Sequence, residues 1–138
     1  MKTAKEIGAY GEDLAEKYLK RRGWRILSRN FSVRGGEIDI IAFRFGRLTF
    51  FEVKTRSNES FGKPYEAVDY KKLSRLKTAR KHFLALYGIG GRVPVFYPFG
   101  TEKRKKYFET PIDVIEVYLQ KDGGKPIINH IKDWEKQL

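Results

Sequence analysis

The chain has 138 residues, 41% hydrophobic and 33% charged, the composition expected of one globular domain large enough to bury a core without staples. Cysteine is absent, which excludes a disulfide framework, thiolate metal sites and a cysteine nucleophile. The net charge is +12, with seven Lys and Arg and no acid from Lys17 to Arg34 and seven more from Lys71 to Arg92, a clustering that favours a polyanion and nucleic acid first.

The opening residues, MKTAKEIGAYGEDLAEKYLK, lack the apolar core of a signal peptide, and no segment approaches membrane-span length. A cytoplasmic protein with no membrane partner is expected. Residues 3–22 read as a helix whose inner arc holds Ala4, Ile7, Gly8, Tyr10, Gly11, Leu14, Ala15, Tyr18 and Leu19, and Gly23 ends it. Trp24 to Ser28 is a short strand, followed by a loop from Asn30 to Gly36. Glu37–Phe43 and Leu48–Lys54 form a hairpin, and Ser57 to Lys63 is turn-like.

A second helix is expected from near Pro64 to about Tyr87, with Leu73, Leu76, Phe83, Leu84 and Tyr87 inward and Arg80 snorkelling out of the apolar arc. Pro94 and Pro98 demote Val93–Phe99 to an edge strand or loop, and Thr101–Lys106 reads as charged and exposed. Ile112–Leu119 is a strand, Asp122-Gly123-Gly124 a turn, and Ile127–Ile131 a final strand before a polar tail. The order αβββαβ indicates an α/β fold with a central mixed sheet flanked by helices, in a single domain.

Within the hairpin, a two-residue loop at Phe45-Gly46 sets Asp39 opposite Glu52 and Glu37 opposite Lys54, with all four charges on one face. A three-residue loop with a bulge would shift this pairing by one. Two opposed carboxylates need a cation. Lys54 supplies one charge, and Mg²⁺, a hard ion held by one or two carboxylates, is the natural second. The plain alternative is a buried ion-pair cluster with no chemistry.

Asp39, twelve intervening residues and then Glu52-Val53-Lys54 resembles the D…E-x-K core of the PD-(D/E)xK nucleases, which also sits on a hairpin beside an N-terminal helix. The surrounding residues are more specific. Gly8-x-x-Gly11-Glu12-x-x-Ala15, Asn30-Phe31, Gly36-Glu37-Ile38-Asp39-Ile40-Ile41, Phe51-Glu52-Val53-Lys54-Thr55-Arg56, Phe61-Gly62, Glu66-Ala67-Val68, Lys72 and Arg75-Leu76 closely resemble the bacterial YraN (UPF0102) family over about residues 5–88. That family is itself similar to archaeal Holliday-junction resolvases. After residue 88 the likeness departs: residues 92–110 look like an insertion, and residues 120–138 like a C-terminal extension.

The resemblance implies a restriction-endonuclease-like core and a metal-dependent endonuclease acting on DNA, with branched or junction DNA as its substrate class. It makes Asp39 and Glu52 ligands of Mg²⁺ or Mn²⁺ and Lys54 the catalytic lysine. Glu12 would be the helix glutamate added to the metal site; its alternative is an exposed first-helix glutamate. Lys72 and Arg75, at the edge of the second helix's apolar arc, could reach a scissile phosphate or simply face solvent. Arg34 and Arg56 are further phosphate-contact candidates. Symmetric cutting of a junction would need a homodimer. The rival reading is a module that binds nucleic acid in a repair or recombination assembly without cutting.

Overall fold

The computed structural model describes residues 3–57 and 69–138. Helix α1 (Ala4–Arg21) leads into three antiparallel strands, β1 (Arg25–Val33), β2 (Gly36–Arg44) and β3 (Arg47–Ser57). Helix α2 (Tyr70–Tyr87) follows, then β4 (Arg92–Phe96), β5 (Glu102–Lys106), β6 (Ile112–Leu119) and β7 (Ile127–Ile131). The expected start of the second helix near Pro64, and the motif residues Phe61-Gly62 and Glu66 to Val68, lie outside the described residues.

The main sheet has the order β1-β2-β3-β6-β7, with β6 parallel to β3 and every other pair antiparallel. It is a mixed five-stranded sheet between two helices, the αβββαβ arrangement consistent with a restriction-endonuclease-like core. One cluster, built around Ala15, Leu19, Trp24, Ile40, Ala42, Phe51, Ile115 and Val117, lies under α1. The other, with Ile41, Phe43, Leu48, Phe50, Leu76, Phe83 and Ile112, lies under α2. Two apolar faces explain why both alternating sets of the central strands are hydrophobic.

Each helix approaches the sheet over a glycine. A Cβ on Gly11 of α1 would stand 1.8 Å from Thr55 Oγ1 of β3, so the helix touches the strand there by backbone alone. A Cβ on Gly36 of β2 would stand 2.4 Å from the Arg75 carbonyl oxygen and 2.8 Å from the Ala79 nitrogen of α2. These contacts set both helices relative to β2 and β3 beside the charged residues.

Three segments differ from the sequence reading. The expected loop after Ser28 is strand, since β1 runs to Val33 and only Arg34-Gly35 turns. The proline-containing 92–106 region is a two-stranded hairpin of its own, β4 with β5, whose Val93 and Val95 are buried in the α2-side core. Pro94 is tolerated because β4 pairs with β5 alone. Arg80 does not snorkel to solvent: it grips Glu135 at 2.9 and 3.1 Å and the Thr110 carbonyl at 2.8 Å, and its guanidinium holds the Glu135 carboxyl below the usual range.

The same C-terminal segment is pinned a second time. Asp113, buried on β6, accepts hydrogen bonds from the Asp133 backbone N–H at 2.9 Å and lies 2.8 Å from His130 Nε2. Asp113 therefore anchors the chain end to the sheet.

Candidate metal and phosphate site

The β2–β3 hairpin follows the two-residue turn: Arg44 pairs with Arg47, and the ladder runs from there to Ile40 opposite Phe51. Phe45 and Gly46 both have positive φ, 47° and 78°, as a type I′ turn requires. Beyond Ile40 the strands fork. β2 continues with β1 to Gly36 opposite Val33, while β3 continues with β6 to Ser57 opposite Leu119.

Asp39 stands at the fork. Its Oδ2 accepts the Val53 backbone N–H at 2.8 Å, so the carboxylate lies in the plane of the sheet and replaces a missing ladder acceptor. Side-chain alternation inverts at this point. Ile40 packs under α1, yet Ile38, two residues away, packs under α2. On β1, Arg29 reaches α1 while Phe31 packs on Phe83 of α2. Between them Asn30 has φ 54°, a left-handed conformation that Asn tolerates better than most residues. The expectation that Glu37, Asp39, Glu52 and Lys54 share one face, with Ile38 on the other, is therefore corrected. It assumed an unbroken pleat.

Glu52 follows Phe50 on the α2 side, with the side chain largely buried. Lys72 of α2 reaches it, Nζ to Oε1 at 3.4 Å, and the same ammonium lies 3.5 Å from Glu37 Oε1. Glu37 is also 3.9 Å from Arg75 Nη2. Glu37 thus pairs with the second helix, and its expected place opposite Lys54 is not formed; its strand partner is Ser32. Lys72 and Arg75 are drawn into the carboxylate cluster. Lys54 lies two residues beyond Glu52 on β3, half-buried and opposite Glu116 on β6, and its charge bears on the Glu52 carboxyl.

Glu12 approaches from the α1 side. Burial pushes its carboxyl above the usual range, the Asp39 charge adds to this, and Arg29 works against it. Arg29, which the sequence reading did not single out, is the hub of that flank, with contacts to Glu12 at 3.4 Å, Asp13 at 3.2 Å and Glu16 at 3.1 Å. The signal available was an arginine inside a strand facing a helix with three acids at i, i+1 and i+4. Arg56 is held by Glu116 at 2.9 Å, and Arg34 is exposed at the β1–β2 turn.

The fork is electrostatically unfavourable for its own carboxylates. Burial, then the nearby Asp39 charge, pushes Glu52 up to about 7, against the pull of Lys72 and Lys54. Asp39 is also raised, by burial, although the Val53 N–H and Lys72 oppose this. Lys72 is raised because Glu52 and Glu37 outweigh its own burial. Glu52 Oε2 is buried with no hydrogen-bond partner among the described residues. Such a group is costly unless something else completes it.

This gives a sign for the metal-free protein. A folded carboxyl raised from 4.5 to about 7 binds more protons than the unfolded one, so its contribution falls as pH rises through that window and is flat above it. Urea unfolding in EDTA should therefore show a loss from pH 5 to pH 8 that Glu52→Gln flattens.

Among the described residues, no three carboxylate or imidazole groups already converge as a closed cage. The donor set nevertheless fits a hard divalent ion, which takes one or two carboxylates and leaves positions for water and phosphate. Asp39 is oriented by a backbone donor and Glu52 has an uncommitted oxygen.

Fold and fork together define a mixed α/β domain with a paired-carboxylate-and-lysine cluster at the open end of its central hairpin. A family profile described as "Uncharacterised protein family UPF0102" matches residues 11–117. A UPF0102 protein of Clostridium perfringens is 39% identical over 132 residues, 96% of this chain and 95% of its own length. Another, from Alkaliphilus oremlandii, is 41% identical over 94% of this chain and 97% of its own length. One from Carboxydothermus hydrogenoformans reaches 49% identity over 64% of this chain and 78% of its own. The chain belongs to the UPF0102 family.

Proposed function

We propose that the protein is a Mg²⁺- or Mn²⁺-dependent endonuclease that hydrolyses phosphodiester bonds in DNA, with branched DNA as its preferred substrate. The observation that carries this reading is the fork itself: Asp39 fixed in the sheet plane beside a buried Glu52 whose second oxygen has no partner among the described residues. A structural ion pair would need one carboxylate and one lysine. Here burial and the Asp39 charge raise the affinity of Glu52 for a proton even with Lys72 present, and burial raises that of Asp39. Likeness to the PD-(D/E)xK nucleases supports the same reading, as does the net charge of +12.

Asp39 and Glu52 would hold the ion, with Glu12 across the fork as a further oxygen donor. The ion would neutralise charge on the phosphate and lower the pKa of the attacking water. Lys54 donates hydrogen bonds to that water or to a phosphate oxygen, where developing charge is largest. Lys72 and Arg75 neutralise the adjacent backbone phosphate, and Arg34 and Arg56 extend the contact. The water gives up a proton to solvent as its oxygen adds to phosphorus, one P–O ester bond breaks, and the leaving oxygen takes a proton from solvent. Two copies of the chain would be needed to cut a junction symmetrically.

The second reading is a nucleic-acid-binding module that does not cut, in which Lys72 permanently occupies Glu52 Oε1 in place of an ion. The two separate cleanly. Purified protein is incubated with four-way, flapped, single-stranded and linear DNA in Mg²⁺, Mn²⁺ or EDTA, beside Asp39→Ala and Lys54→Ala. Metal-dependent cutting lost in both variants is expected. No cutting in either metal, or equal cutting by the variants, overturns the catalytic reading, and salt-sensitive binding without cutting then favours the module.

A further inference from the structure

The end of the molecule opposite the fork carries a second cationic surface. The β2–β3 turn and the β4–β5 hairpin flank a cleft of about 410 Å³, lined by Gly23, Arg25, Phe43, Phe45, Tyr97 and Lys105 among others. Rings and cations interleave there. The Arg25 guanidinium lies 4.7 Å from the Tyr97 ring centre, Lys103 and Lys105 each lie 5.8 Å from the same ring, and Arg44 lies 4.8 Å from Trp24. β5 itself reads Glu-Lys-Arg-Lys-Lys and is exposed along most of its length.

Two aromatic residues project from this surface. Phe45 is 91% exposed at the β2–β3 turn, and Phe99 is fully exposed at the β4–β5 tip. Both have positive φ, 47° and 69°. A bulky residue in the left-handed region is disfavoured, and Asn or Gly would serve either turn better. An aromatic at such a position, without burial to offset the strain, points outward to a ligand.

We propose that this surface is a second nucleic-acid contact, in which Arg25, Arg44, Lys103 and Lys105 hold backbone phosphates while Phe99 and Phe45 stack on unpaired bases. Stacking on aromatic side chains within a basic groove is how proteins hold single strands without reading sequence. Nucleic acid is favoured over a membrane because the exposed rings are separate and alternate with cations, whereas interfacial binding needs a continuous apolar face. Six residues of strand at about 3.3 Å each place the Phe45 turn roughly 20 Å from Asp39. That is on the order of six base-pair steps. One substrate can therefore reach both the fork and the hairpin, with duplex at the carboxylates and unpaired bases at the tip. This inference rests on nucleic acid being the partner, and it names the substrate feature recognised: a junction between paired and unpaired strands.

The test is binding in EDTA, which does not depend on cleavage. Fluorescence anisotropy is read for blunt duplex, single-stranded and flapped DNA of equal length, and for phosphatidylserine vesicles. Phe99→Ala should weaken single-stranded and flapped DNA by about fivefold or more and leave blunt duplex unchanged, and Phe99→Tyr should restore the wild-type value. Lys103→Ala/Lys105→Ala should weaken every DNA and lower the slope of log affinity against log salt by about 2. Binding of single-stranded and flapped DNA by Phe99→Ala as tightly as by the wild type overturns the stacking role. An effect on vesicle binding alone assigns the surface to a membrane and overturns the proposal. Loss of cutting in Asp39→Ala with unchanged hairpin variants sinks this inference and not the nuclease. Hairpin-dependent binding by a protein that never cuts does the reverse.

Discussion

Glu52→Gln is expected to reduce metal-dependent cleavage by at least about 10²–10³-fold, the usual loss when one preorganised electrostatic contact is removed. The same substitution should make the metal-free protein more stable at pH 8, by roughly 1–3 kcal/mol. The reason is the balance at the fork: burial and the Asp39 charge hold Glu52 up to about 7, so at pH 8 the folded chain must ionise a group it would keep protonated. Glutamine keeps the shape and removes that penalty, at the loss of the Lys72 contact at 3.4 Å. Opposite effects on stability and activity are the mark of a site kept for function. A purely structural ion pair predicts the other sign, because removing the Glu52 charge takes one of the two carboxylate partners of the half-buried Lys72. Cleavage rates with urea unfolding of both proteins in EDTA read the two effects side by side.

Gly36→Ala is expected to destabilise the fold by about 3 kcal/mol, at the upper end of the range for overpacking. The added Cβ would lie 2.4 Å from the Arg75 carbonyl oxygen and 2.8 Å from the Ala79 nitrogen. Both are backbone atoms of α2, so no side-chain rotation can relieve the contact; the helix must lift from β2. Lys72 and Arg75 sit on the lifted helix, and their contacts with Glu52 and Glu37 lengthen with it. Thermal unfolding should show a drop of roughly 10 °C. In the fraction that stays folded, cleavage should fall although no charged residue has changed.

The hairpin register was legible because the turn is local, although the ladder stops at Ile40 and Phe51, one pair short of the expected opposition of Asp39 and Glu52. Phe45-Gly46 determines the register, and the pairing of Arg44 with Arg47 through Ile40 with Phe51 follows by counting. The first helix was legible for the same kind of reason: Gly11, Ala15 and Leu19 recur at helical spacing and are its buried residues. What alternation could not supply was the inversion at Asp39. A period of two assumes a continuous pleat, and Asn30 in the left-handed region breaks it on the neighbouring strand. Asn30 was the visible signal, since Asn is one of the few non-glycine residues that enter that region readily.

The remaining departures share a cause. Arg80 in an apolar arc was legible as an anomaly, but its partner Glu135 is 55 residues away and no local pattern connects them. Glu37 likewise finds Lys72 and Arg75 across the helix–sheet interface, not along its own hairpin. In residues 92–106, two prolines and a charged run hid a hairpin because propensity is weak evidence where only two strands pair. Its buried face, Val93 and Val95, is short, and only tertiary packing on the α2-side core defines it.

The central claim is that Asp39 and Glu52 together hold a divalent ion. Calorimetric titration of Mn²⁺ into the metal-free protein at pH 8 tests it most directly, beside Asp39→Asn and Glu52→Gln. Binding is expected in the wild type and should weaken at least about tenfold in each variant, the equivalent of 1.4 kcal/mol or more. Absence of binding in the wild type, or equal binding by all three proteins, would contradict it.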